Sequence, residues 1–357
     1  MPHACRQSHR NRSVRENLKL QPEDRVLVVA PHPDDESIAT GGLIQSALVA
    51  GAAVRVVVLT DGDANVWPQR WIEKRWRIDA VARARWGARR REEARNAMLV
   101  LGLDKHAAEF FGLPDLGLTN LLMRADPMAL SRMRASIAAF APSWIVLPSM
   151  TDLHPDHSAA NLLVCLALNA GDVKIPRLLE FAVHGGGADA AVRCELTPKM
   201  QEVKRTAILA HATQMRLSSK RFLRHAGAHE AFQATVAAAQ DMHNPLCAQA
   251  DSAGRVRVEF DVRQARRGLS LFIVMDGGGR SRRLLMPWKS GAAELPVFDA
   301  MQENPAGVAH IEHAGNRVSV TFESGCADWC LGFVKLARRM PGLWVFDRHG
   351  WQVIARS

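Results

Sequence analysis

RVLVVAPHPDDE, residues 25–36, is an apolar run that stops at a proline and then breaks into one histidine and three carboxylates. An unbroken apolar run bounded in this way predicts a strand buried on both faces, as in parallel sheets. The residues that follow predict its partners. A helical stretch with Ile38, Leu43, Ile44, Ala47 and Leu48 in three-four spacing stops at Gly51. VRVVVLT (54–60) reads as a second buried strand closed by Asp61-Gly62, and EARNAMLVLGL carries a helix to Gly102. EFFGL (109–113) is a third strand, MALSRMRASIAAF a helix and WIVLPS (144–149) a fourth strand. Apolar strands alternating with helices predict an α/β fold, a Rossmann-like, mostly parallel sheet with helices on both faces.

After residue 252 the period changes. RVRVEFDV, LSLFIVMD, VAHIEHAGNRVSVTFE and LWVFDRHGWQVIA alternate or run apolar, with Gly315-Asn316 and His349-Gly350 where hairpin turns belong. The organisation predicted is a basic, disordered tail (1–22), an α/β domain (23–235), a linker (236–252) and a smaller, mostly β C-terminal domain (253–357).

Composition sets bounds. No run of 18 apolar residues is present, and the N-terminal segment lacks the apolar core of a secretory signal. Cys5, Cys165, Cys194, Cys247, Cys326 and Cys330 form no CxxC pair, which argues against a zinc ribbon or disulfide scaffold and for a reducing, cytoplasmic location. The net charge of +10 admits an anionic membrane surface or acidic substrate; nucleic acid is disfavoured because no recognition motif accompanies the charge. The chain has 12 Phe and 9 Trp but no tyrosine, so no phenol takes part in its chemistry.

The polar cluster His32-Pro33-Asp34-Asp35-Glu36 stands at the carboxyl end of the first strand, where open α/β sheets bind ligands. Helix capping would need one Asp, not this density. His154-Pro155-Asp156-His157 follows the fourth strand and can converge on the same sheet edge. His32, Asp35 and His157 would make a two-histidine, one-carboxylate set with open positions, suited to catalytic zinc or to Fe(II).

These motifs, with Thr60-Asp61-Gly62, Arg90-x-x-Glu93, Leu113-Pro114-Asp115 and Lys204-x-x-Ala207-Ile208-x-x-His211-x-Thr213-Gln214, resemble the LmbE-like/PIG-L family of zinc-dependent N-acetylglucosaminyl N-deacetylases over roughly residues 25 to 216. The resemblance implies that His32, Asp35 and His157 bind zinc, that Asp34 is the general base and that His154 assists at the oxyanion. It implies hydrolysis of an N-acetylated amino sugar to acetate and a free amine, with water activated by the metal. Arg90 and Asp115 match positions lining the sugar pocket, Glu36 is expected to support the ligands, and His211 to pack beside the site. Some relatives use a tyrosine near the HPDH loop. Here Thr151, Asp152 and Leu153 precede His154, so the oxyanion falls to the metal and His154. Gly41-Gly42 reads as a close-packing site.

Between residues 63 and 95 four tryptophans (67, 71, 76, 86) lie among arginines. This segment reads as a lid, as an interfacial helix reaching a lipid-linked sugar on an anionic membrane, or as a core-packed face. Competing functions are a non-catalytic protein binding glycans or anionic surfaces, and a metal-dependent esterase or amidase on a non-sugar substrate.

Overall fold

The computed structural model describes residues 16–169, 175–185, 191–234, 246–264, 268–277, 280–326, 328–338 and 345–356. Most of the predicted tail and the first ten residues of the predicted linker lie outside these.

The N-terminal domain carries strands β1 (Glu16–Asn17), β2 (Arg25–Ala30), β3 (Ala53–Thr60), β4 (Ala108–Leu113), β5 (Trp144–Pro148), β6 (Arg177–Phe181), β7 (Val192–Glu195) and β8 (His229–Ala234). Its helices are α1 (Asp35–Val49), α2 (Val66–Glu73), α3 (Ala80–Val100), α4 (Leu118–Met123), α5 (Pro127–Phe140), α6 (Pro155–Asn169), α7 (Pro198–Ala210) and α8 (Ala212–Leu223). The strands form one sheet in the order β1-β7-β8-β6-β5-β2-β3-β4. All pairings are parallel except those of β8 with β6 and β7.

The chain runs outward from β2 through β3 to β4 and then returns to place β5 on the other side of β2. That reversal creates a crevice between the carboxyl ends of β2 and β5, the switch point at which such sheets bind ligands. The two motif-bearing loops leave the sheet there. Strand side chains alternate between the faces. Leu27, Val29, Val57 and Leu59 face α4, α5 and α6, while Val26, Val28, Val56 and Val58 face α1, α3 and α7. Burial on both sides is why these strands carry no polar alternation.

Two glycines allow close packing. A Cβ on Gly42 would stand 2.6 Å from Leu196, and one on Gly62 (φ +62) would strike the Arg90 guanidinium at 1.6 Å.

The C-terminal domain is a closed barrel of β9 (Leu246–Ala250), β10 (Arg255–Asp261), β11 (Leu269–Gly277), β12 (Arg280–Pro287), β13 (Glu294–Asp299), β14 (Asn304–Ala314), β15 (Arg317–Glu323), β16 (Leu331–Arg338) and β17 (Gln352–Arg356). Strand β9 lies inside the predicted linker; its alternation was too short to recognise without its neighbours β10 and β17. Likewise Glu16–Asn17, within the predicted tail, pairs with β7. Gly315 (φ +63) turns the β14–β15 hairpin as expected. His349-Gly350 does not form a hairpin turn. Gly350 is pressed against the 150–151 backbone, where a Cβ would meet the Met150 carbonyl at 2.1 Å.

Residues 271–275 of strand β11 are apolar without a break because both faces are buried there. Leu271, Ile273 and Met275 fill the barrel, whereas Phe272 and Val274 join the core beneath α4 and α6. The two domains therefore share one apolar interface, which also buries Trp351 completely.

Candidate active site

The loop after β2 and the first turn of α6 bring His32, Asp35 and His157 together. Asp35 Oδ2 lies 3.2 Å from His32 Nδ1 and 3.2 Å from His157 Nε2. A tetrahedral ion with ligands at 2.0–2.1 Å would separate its donor atoms by about 3.3 Å. Each histidine has a carboxylate behind it. His157 Nδ1 is 3.2 Å from Asp152 Oδ2, and His32 Nε2 is 3.3 Å from Asp115 Oδ1 and 3.5 Å from Asp156 Oδ2. Carboxylates in that position fix the tautomer and ring orientation of metal-binding histidines. His157 Nε2, facing Asp35, and His32 Nε2, facing Asp115 and Asp156, are both buried without a hydrogen bond, so each histidine keeps a nitrogen free for an ion.

Electrostatics point the same way. Burial would lower the His157 pKa, but Asp35 and Asp152 raise it to about 9. Burial would raise Asp35, which His157 and His32 instead hold well below the usual carboxylate range. The carboxylates thus make this a site that favours positive charge. By distance alone, nitrogens of His32, His154 and His157 form another cluster, as do His32, Asp115 and Asp156. His154 Nδ1, however, accepts the Asp156 N–H, and Asp156 accepts from the backbone of Leu116 and Leu118. Asp35 Oδ2 also accepts the His32 N–H at 3.0 Å, but it stands 3.2 Å from a ring nitrogen of each histidine, so His32, Asp35 and His157 could hold a metal between them.

Asp34 occupies the N-cap position of α1 but makes no side-chain capping bond. Its φ of +145° is a conformation side-chain-bearing residues seldom adopt, and such strain persists only where the surroundings impose it. Here Glu36 Oε2 accepts the Asp34 N–H at 3.0 Å, and Arg90 grips both the Asp34 carboxylate (3.1 Å) and the Pro33 carbonyl (2.7 Å). Burial raises the Asp34 pKa to about 6, with Arg90 opposing and Asp35 reinforcing the shift. At neutral pH this carboxyl is ionised and close to the proton-transfer range.

His154 is held well below its ordinary pKa by burial and by His32, His157 and His184. With Nδ1 accepting from backbone, the neutral ring presents Nε2–H as a donor. A neutral imidazole of this tautomer remains a competent hydrogen-bond donor.

The other anticipated residues are close, with their polar atoms turned to the protein. Arg90 lines the cleft but also donates to the Gly62 carbonyl (2.6 Å), so its guanidinium ties together the loops after β2 and β3. Asp115 accepts the Ala64 N–H at 2.7 Å besides facing His32. His211 does not line the cleft; it contacts Glu36 at 3.0 Å and Ser37 at 3.1 Å, behind Asp34. Thr213 binds Glu93 through Oγ1 at 2.6 Å, which joins the Arg90-x-x-Glu93 and His211-x-Thr213 segments. Sequence reasoning missed Asp152, His184, Arg221, Phe222, His225 and Phe346. Only Asp152, two residues before an anticipated site residue, carried a local signal.

The cleft holds about 320 Å³, at the lower end of small-molecule sites and of monosaccharide scale. The sequence profile of the family PIG-L, described as GlcNAc-PI de-N-acetylase, matches residues 27–168. The α/β domain is similar to the PIG-L family. The chain is 28% identical over 139 residues to a diacetylchitobiose deacetylase of Thermococcus kodakarensis, covering 39% of this chain and 47% of that one. It is 30% identical over 168 residues to a 1D-myo-inositol 2-acetamido-2-deoxy-alpha-D-glucopyranoside deacetylase of a Mycobacterium species (43% and 53%). The chain thus spans about half the length of these curated relatives. Among solved structures, N,N'-diacetylchitobiose deacetylase from Pyrococcus horikoshii aligns with TM-score 0.46 and 20% identity, over 59% of this chain and 84% of that one. The match to the PIG-L profile includes both motif loops, while the barrel lies outside it.

Proposed function

We propose that the protein hydrolyses the acetamide of an N-acetylated amino sugar of the N-acetylglucosamine type, releasing acetate and a free amine. The observation that carries this reading is the pairing of a metal-ready set, His32, Asp35 and His157, with a strained, pKa-shifted Asp34 in a cleft of sugar size. Zinc suits two imidazoles and a carboxylate; when bound, it acidifies water and polarises a carbonyl. Asp34, fixed by Arg90, takes a proton from the attacking water and delivers it to the departing amine, so that water and amide become acetate and amine. His154 Nε2–H donates to the oxygen on which negative charge develops. Tyrosine being absent, that donation falls to an imidazole.

The relatives' activities, on diacetylchitobiose and on a 2-acetamido-2-deoxy-glucopyranoside, support an amino-sugar substrate. The test is acetate release from a panel of N-acetylglucosaminides by protein supplied with Zn²⁺ or Fe²⁺ in turn. Acetate from at least one member is expected, and silence across the panel with both metals would refute the reading.

A lipid-linked substrate on an anionic membrane is a second part of the proposal. Trp67, Trp71 and Trp76 are 59%, 75% and 76% exposed, so the core-packed reading holds for Trp86 alone. Arg70 stacks on Trp67 and Trp76, and Pro68 of the same helix lines the cleft. Indoles with arginines at a cleft mouth suit an interface of acyl chains and anionic headgroups. Co-flotation with vesicles containing phosphatidylglycerol is expected, weakened by Trp71→Ser with Trp76→Ser; equal flotation with neutral vesicles would count against it. No helix among the described residues is long and apolar enough to cross a membrane. The five described cysteines are free, which supports a cytoplasmic setting.

A further inference from the structure

The PIG-L match ends at residue 168, yet the cleft does not. Val345 and Phe346, from the barrel side of the chain, line the same space as His32, Asp34 and His154. The Phe346 ring lies 5.0 Å from that of His184 and 5.9 Å from that of His154. It is 44% exposed although it borders a pocket, which is the disposition of an aromatic wall that a ligand covers.

The segment carrying Phe346 is fastened to the catalytic loop. The Asp347 N–H donates to the Leu153 carbonyl at 2.9 Å and the Trp351 N–H to the Met150 carbonyl at 3.0 Å. Gly350 admits the contact because any side chain there would strike the Met150 carbonyl. Beneath them lies a buried lysine. Lys335 Nζ reaches from β16 to Asp347 Oδ2 at 2.8 Å and to Ser158 Oγ at 3.0 Å, next in sequence to His157. A buried ammonium is costly unless paired, and leaving either partner unpaired is strongly destabilising. This lysine therefore locks the residue after Phe346 to the first turn of the metal-binding helix.

We propose that the barrel is part of the catalytic unit: Phe346 is the specificity wall on which the ring of the substrate beyond its acetamide stacks, and Lys335 is a positioning residue that sets this wall against α6. The inference rests on the amino-sugar reading and extends it from the reacting group to the group recognised.

The experiment compares wild type, Phe346→Ala, Phe346→Trp and Lys335→Met in the full chain, with N-acetylglucosamine and N,N'-diacetylchitobiose as probes. Hydrolysis is followed by acetate release and binding separately by calorimetry. Phe346→Ala is expected to raise KM and the calorimetric Kd for diacetylchitobiose about tenfold with kcat nearly unchanged, and Phe346→Trp to restore affinity. Lys335→Met should weaken binding in the same direction and lower Tm. Unchanged Kd and KM in Phe346→Ala, or a wild type that binds neither probe, overturns the proposal. Binding that depends on Phe346 without acetate release would sustain the wall and refute the deacetylase instead.

Discussion

Asp34→Asn is expected to lower kcat for acetate release by about a thousandfold, within the usual range for loss of a general acid–base group. Metal binding should be preserved. Asparagine keeps the size of the side chain and tolerates unusual backbone conformations better than most residues, so the φ of +145° is no obstacle to folding. The amide cannot accept a proton, however, and the Arg90 contact becomes that of a cation to a neutral oxygen. The measurement is kcat for the best substrate of the panel together with metal content. A variant keeping more than a tenth of wild-type kcat would remove Asp34 from the proton-transfer role. Loss of the metal as well would assign the residue to the ligand set.

The second large effect is expected from His157→Ala. Its Nε2 is the unpaired buried nitrogen beside Asp35, so its loss takes one of three donors and should abolish stoichiometric metal binding along with activity. Chelator-treated wild type should lose activity in the same way and regain it on addition of metal, whereas the variant should not. Asp152→Asn gives an internal gradation. Asp152 touches the opposite ring nitrogen and accepts the backbone N–H groups of His154, Val183 and His184, so its loss should weaken metal affinity about 10–100-fold without abolishing it. Retention of a full equivalent of metal by His157→Ala would show that the cluster of His32, Asp115 and Asp156 is the true centre.

The strands and their helices were legible because their signals are local. Apolar runs of five to eight residues and three-four spacing arise from what each segment must bury, whichever neighbour supplies the cover. Where the cover changes identity the signal weakens. β9 carries only five residues of LCAQA and needs two barrel neighbours to exist as a strand, so it read as linker. The four tryptophans in the 63–95 segment were equally ambiguous, since spacing identifies a shared face but not whether protein, ligand or membrane lies against it.

The sequence by itself determined that His32, Asp34, Asp35, His154 and His157 would meet. They follow strands β2 and β5, and the right-handed α/β connection leaves few places for such loops except a common sheet edge. Only the tertiary structure decided how each is employed. Asp115 and Asp152 reach His32 and His157 through contacts fixed by helix and loop packing, Arg90 spans to Asp34 from the middle of α3, and Phe346 arrives from the chain between barrel strands β16 and β17. Nothing in the residues around 346 encodes proximity to residue 154. That depends on burying Trp351, Phe272 and Val274 against α4 and α6, and on one buried lysine finding both Asp347 and Ser158. Local pattern chose the elements and the edge at which chemistry occurs; the packing of distant surfaces chose which group orients, which strains and which faces the substrate.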